Sequence, residues 1–120
     1  MSPTPKTKQT SLDLHTGPTE RDIVIQRSPI AGYRHHEAPL LLAALRPRLA
    51  ITMAREPCNP QDPDAVALFW RGRKLGYLPR GSNFMVARLL EGNRPLSARI
   101  RRLTPTADRN LRIYIEVLLH

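Results

Sequence analysis

The chain has 120 residues, 41% of them hydrophobic and 5% aromatic, enough for one small domain round one modest core. Its net charge is +9, from 19 basic and 10 acidic residues. That balance points to an anionic partner and away from an enzyme built round an acidic pocket.

Residues 1–20 are rich in Pro, Thr, Ser and Lys and have little to bury. They are expected to form a disordered tail ahead of a domain spanning residues 21–120. They lack the apolar core of a signal peptide, and no apolar run approaches the ~20 residues of a membrane span. A cytoplasmic protein without membrane association is expected.

Ile23, Val24 and Ile25 form a β-branched run and predict the first strand. Residues 38–45 predict a short helix, with Pro39 in its first turn and Pro47 ending it. Residues 49–54 alternate loosely, as a half-buried strand does. A polar turn over residues 56–64 follows. Residues 65–70 predict another strand, and Arg71, Gly72 and Arg73 turn it into a partner over 74–78. Ser82 is placed to cap a helix running through Phe84, Val86, Ala87, Leu89 and Leu90, with Gly92 as its stop. Residues 96–101 and 111–117 alternate apolar and polar side chains and predict the last two strands. Phe69, Trp70 and Phe84 are core candidates. The order predicts a mostly β domain with two short helices, a small antiparallel barrel. Regular strand–helix alternation, which a doubly wound sheet needs, is absent.

The charge sits in the folded part: residues 29–120 hold 15 basic and 7 acidic residues, and Lys74 is the one basic residue there that is not arginine. Arginine contacts phosphate bidentately and stacks on bases, which suits nucleic acid. Pro57, Pro60 and Pro63 stiffen the polar turn, and Asn59 and Asp62 can bond nearby backbone N–H groups. Such a turn is a rigid connector. It is also a preorganised socket offering an amide and a carboxylate side by side. The lone Cys58 within it excludes an intramolecular disulfide and fits a reducing compartment.

Arg34, His35 and His36 form a second candidate. Neighbouring histidines on a strand point to opposite faces, so no metal site is expected from them. Asp62 and Asp64 in a basic chain do not make a cation site either. Tyr77, beside Gly76, is either a core ring or a side chain that stacks on a base or donates to phosphate. Ser82 has no paired base, and there is no Gly-rich phosphate loop with its lysine. Neither catalysis nor a cofactor is expected.

Three stretches together resemble the HIRAN domain. They are Gly32-Tyr33-Arg34, then Arg55-Glu56-Pro57 with Asn59-Pro60, Asp62 and Ala65-Val66, then Gly72, Lys74 and Gly76-Tyr77-Leu78-Pro79-Arg80. The resemblance covers about residues 28–103. It implies a modified OB-like barrel that captures the 3′ end of single-stranded DNA, found fused to fork-remodelling ATPases or as a small stand-alone bacterial protein. By the resemblance, Arg34 contacts phosphate, Asn59 and Asp62 hold the terminal nucleotide with the carboxylate accepting from the 3′-hydroxyl, and Tyr77 meets phosphate. DNA-binding members carry tyrosines where this chain has His35 and Gln61, and those rings sandwich the terminal base. At ~1–3 kcal/mol per stacked base, two lost rings amount to ~10²–10⁴ in affinity.

The expected site is therefore Arg34, His35, Asn59, Gln61, Asp62, Tyr77 and Arg80, binding single-stranded DNA at a free 3′ end in repair or replication. A monomer, with a DNA-remodelling or repair protein as a further partner, completes the expectation. The alternative is a protein-interaction or regulatory adaptor without end capture.

Overall fold

The computed structural model describes residues 22–32, 42–104 and 113–120. Six strands form one antiparallel sheet: β1 (Ile23–Pro29), β2 (Ala50–Arg55), β3 (Val66–Trp70), β4 (Arg73–Tyr77), β5 (Leu96–Leu103) and β6 (Ile113–Leu119). Their order across the sheet is β1-β6-β5-β2-β3-β4. Helix α1 (Phe84–Glu91) lies between β4 and β5 in the chain.

Period-two alternation sets the inner face. Ile113, Ile115 and Val117 of β6 and Ala98 and Ile100 of β5 point into the core. Ile30, Ile51, Val66, Leu68, Leu75, Leu78, Val86 and Ala87 meet them there. Trp70 packs against this cluster from its margin. Burying each large aliphatic side chain contributes about 1.5–3 kcal/mol.

Among the described residues the ladder does not close on itself. One isolated bridge, Ala31 with Tyr77, ties the chain just past β1 to the edge strand β4, with N–H···O distances of 2.8 and 3.0 Å. The mostly β, OB-like class expected from the sequence is the class observed.

Four local expectations are corrected. The described part of the expected 38–45 helix is a single 3-10 turn, Leu42–Ala44, and residues 38–41 lie outside the described residues. A first helical turn fixes three residues for one bond, and little length is left before Pro47 to repay that cost. Among the described residues there is thus one α-helix. Its N-cap is Asn83 and not Ser82, whose hydroxyl donates to the Pro79 carbonyl at 3.2 Å. At the other end Gly92 has an ordinary φ of −83°, and Asn93 takes the left-handed position at φ 56°. Asn93 N–H to Leu90 O and Arg94 N–H to Leu89 O, both 3.0 Å, complete a Schellman motif. Finally, Phe84 is 59% exposed and belongs to the surface.

The β3–β4 hairpin is as read. Trp70 pairs with Arg73 across a two-residue turn in which Arg71 (φ 50°) and Gly72 (φ 78°) both adopt the left-handed conformation of a type I′ turn. A bulge follows, because Leu68 faces Gly76 and Phe69 faces Lys74. Gly76, at φ 153°, supplies the backbone conformation that the bulge requires.

Candidate functional site

The loop between β2 and β3 is a chain of three turns. Asn59 N–H bonds Glu56 O at 3.0 Å, Asp62 N–H bonds Asn59 O at 3.3 Å, and Ala65 N–H bonds Asp62 O at 3.1 Å. Pro57, Pro60 and Pro63 each occupy the second position of a turn, where their fixed φ is already correct. Two side chains brace the turns. Asn59 Oδ1 accepts from the Gln61 N–H and Asp62 Oδ1 from the Asp64 N–H, each at 2.9 Å. Glu56 N–H to Ala65 O, 3.0 Å, shuts the base of the loop.

Arg55 locks the same base. Its guanidinium donates to Ala65 O at 2.9 Å and Pro63 O at 3.0 Å, and pairs with Glu91 of α1 at 2.6 Å. Arg88 bonds Asp64 at 2.8 Å, so the helix holds the loop at two points. Asn83 makes a third. It is only 3% exposed, and its Nδ2 donates to Asp62 Oδ2 at 2.8 Å.

On the other side a compact network faces β4. Lys74 Nζ donates to Glu56 Oε2 at 2.8 Å and to the Tyr77 hydroxyl at 2.9 Å. Tyr77 in turn donates to Glu56 Oε1 at 2.8 Å, and Asn59 Nδ2 donates to the same oxygen at 3.2 Å. Lysine has no acceptor, so the direction of these bonds is forced. The Lys74 ammonium foremost, with Tyr77 and Asn59, holds Glu56 below the usual carboxylate range against the opposing pull of burial. Glu56 and then Tyr77 raise Lys74. The single hydroxyl proton of Tyr77 is thus committed to Glu56.

These elements surround a cleft of about 170 Å³. Its polar walls are Asn59, Gln61, Asp62, Tyr77 and Arg80. Ala31, Gly32, Ala65 and Leu78 supply the apolar floor. A cavity of about 150 Å³ takes one benzene-sized ring, so this cleft takes a single ring or sugar. Asp62 can still accept: two of its roughly four lone-pair sites are used. Arg80 is exposed and has no carboxylate partner among the described residues.

Five of the seven residues singled out from the sequence therefore share one cleft. Arg34 and His35, like the expected tail over 1–20, lie outside the described residues. Sequence reasoning assigned no role to Glu56, Lys74 or Asn83. Two signals were available: Lys74 is the only lysine beyond the tail, and Glu56 opens the loop at its base. Asn83 gave no signal, because its partner is 21 residues away.

A small OB-like β module with a polar, one-ring cleft between a stiff loop and an edge strand is a class of binding domain. The chain matches the HIRAN domain over residues 23–120 and belongs to that family, one of nucleic-acid-binding modules. Its fold is similar to the crystal structure of a protein from Lactobacillus plantarum, with TM-score 0.69 and 22% identity, covering 82% of this chain and 97% of that one. It is also similar to the HIRAN domain of human HLTF, with TM-score 0.64 and 14% identity, covering 82% of this chain and 78% of that one. No curated protein sequence matches the chain.

Proposed function

We propose that this protein binds single-stranded DNA at a free 3′ end and holds the terminal nucleotide in the cleft. The observation that carries the reading is the state of Asp62. Its carboxylate is fixed by Asp64 N–H and Asn83, lines the cleft, and keeps acceptor capacity for a sugar hydroxyl. Asn59, braced in the same way, meets the sugar or the base edge. Arg80 takes the adjoining phosphate, and Tyr77 contributes its ring as a wall. Gln61 stands on the rim where it can bond a base edge but cannot stack on one. Arg34 and His35 extend the site in this reading. A monomer working where repair or replication exposes 3′-hydroxyl ends, in the cytoplasm, fits this chemistry. Among the described residues no helix is long and apolar enough to cross a membrane.

The reading is of a binder and not of a catalyst. Ser97 Oγ, His120 Nε2 and Nδ1, and Asp22 do stand in relay order, at 2.6 and 2.8 Å. None of them lines the cleft. Their bonds tie the start of β1 to β5 and to the last residue.

The test is a pair of short oligonucleotides differing only in a 3′-hydroxyl or 3′-phosphate end. The native protein should prefer the hydroxyl, since a terminal phosphate brings negative charge against Asp62. Asp62→Ala should weaken hydroxyl-end binding about 10- to 100-fold, the range for a hydrogen bond to a charged group, and abolish the preference. Equal losses on both ends would overturn the assignment. The ratio is insensitive to partial unfolding, which lowers both affinities alike.

A further inference from the structure

The outward face of β1, β6 and β5 carries two rows of side chains that the cleft does not use. Pro29, Tyr114 and Arg102 are cross-strand partners in the first row. Arg27, Glu116 and Arg99 are partners in the second, two residues further from the cleft. The rows face outward because Ile113, Ile115 and Ile100, which alternate with them along the strands, point into the core. Ala31 continues the same side of the chain two residues past Pro29 and lines the cleft. Each two-residue step along a strand is about 7 Å, so the rows lie in sequence leading away from the cleft.

The chemistry of this face is that of a polyanion track. In the second row Glu116 is 6% exposed and pairs with both Arg27 at 3.2 Å and Arg99 at 2.6 Å, leaving one guanidinium in excess. In the first row the Arg102 guanidinium lies over the Tyr114 ring, 4.1 Å from its centroid. A bulge at Arg101 adds another exposed guanidinium beside it. Neither Arg101 nor Arg102 has a carboxylate partner among the described residues. A guanidinium plane backed by a ring offers a stacking face to a base and edge donors to a phosphate.

We propose that this face is a second subsite, which takes the nucleotides immediately upstream of a 3′-terminal nucleotide held in the cleft. The proposal rests on the cleft reading for its direction. Arg102 stacks or contacts phosphate first, Arg101 contacts phosphate beside it, and the excess charge of the Arg27–Arg99 pair continues the track. Its occupant is single-stranded nucleic acid, because the continuity with the cleft and the uncompensated charge both call for a strand that leaves the pocket.

The experiment compares oligothymidylates of two and six nucleotides, lengthened at the 5′ side and all bearing a free 3′-hydroxyl. The native full chain should gain about tenfold or more in affinity on lengthening at low salt. Arg101→Ala/Arg102→Ala should lose most of that gain and flatten the log Kd against log salt slope by about 1.4, roughly 0.7 per lost phosphate contact. Its preference for 3′-hydroxyl over 3′-phosphate should be unchanged, and its binding of the dinucleotide should fall much less than its binding of the hexanucleotide. Arg71→Ala/Arg94→Ala, with equal charge removed from the β3–β4 turn and the α1–β5 loop, should keep the length gain. Should the Ala pair unfold, Arg101→Gln/Arg102→Gln removes the charge with less loss of side chain. A length gain that survives in the Arg101/Arg102 variants, is lost equally in the control, or is absent from the native protein would overturn the proposal. Loss of 3′-end preference in the native protein would instead count against the cleft, so the two readings fail separately.

Discussion

Glu56 receives three donors on its two oxygens, from Lys74, Tyr77 and Asn59, and this fixes two walls of the cleft at once. One wall is the loop residue Asn59, the other the β4 residue Tyr77. The stability this network contributes depends on pH in a definite direction. Glu56 titrates below its ordinary value in the folded chain, so its contribution is full above the unfolded pKa and is lost as pH falls through the folded one. Lys74 titrates above its ordinary value, so its share is full below the unfolded pKa and is lost as pH rises through the folded one. Stability from the pair should be level across neutral pH, decline below about 4 and decline again above about 10. Glu56→Gln should cost about 1–2 kcal/mol at neutral pH, given partly buried partners. Melting curves of native and variant proteins from about pH 8 down to about pH 3 should converge at the acid end, since both carboxyl and amide are then uncharged. Curves that stay parallel would mean that the charge of Glu56 contributes nothing. From the sequence alone Tyr77 was either a core ring or a side chain that stacks on a base or donates to phosphate. The choice depended on Lys74, whose approach to Tyr77 is set by the β3–β4 bulge.

At the scale of elements, the strands were legible because alternation of apolar and polar side chains is a local property. It survives in residues 96–101 and 113–117 whatever surrounds them. The loop was legible in its stiffness but not in its order. Its three-residue period, proline after Glu56, Asn59 and Asp62, is visible in the letters and specifies three consecutive turns. The start of α1 was not legible. Ser82 and Asn83 are both good N-cap residues, and the decision is tertiary: Asp62 claims the Asn83 side chain, which then makes no capping bond. A prediction separates the two roles. If Asn83 matters as a tether, Asn83→Ala and Asn83→Ser should destabilise equally, by about 1–3 kcal/mol, because each leaves an acceptor of Asp62 without its donor. If capping dominated, Ser would restore most of the loss. Asn83→Asp should be the worst at neutral pH, with two carboxylates in contact, and should recover as acid protonates one of them. Urea unfolding of the three variants at two pH values measures the order.

At the scale of the molecule, the sheet formed by the described residues is a strip whose ends meet at one seam. Most of its ladder is long: β5 pairs with β6 from Leu96↔Leu119 to Leu103↔Ile113. Among the described residues the seam is one bridge, Ala31 with Tyr77, and both residues line the cleft. A two-bond closure opens far more readily than a ladder of seven pairs, because local opening exposes little apolar surface. Without ligand, the Ala31 and Tyr77 amides should therefore exchange with solvent much faster than amides of the central β5–β6 ladder. A nucleotide seated in the cleft contacts both sides of the seam, so seam opening would have to expel it. At ligand near 100 times Kd the seam amides should slow by up to about 100-fold, which brings them toward the ladder rate. The same measurement locates the ligand without substitution of any residue. A 3′-hydroxyl oligonucleotide that saturates the protein and leaves Ala31 and Tyr77 exchanging at their free rates is bound elsewhere. The outward face of β1, β6 and β5 would then be the place to look, since contact with Arg102 and Tyr114 leaves the seam free to open.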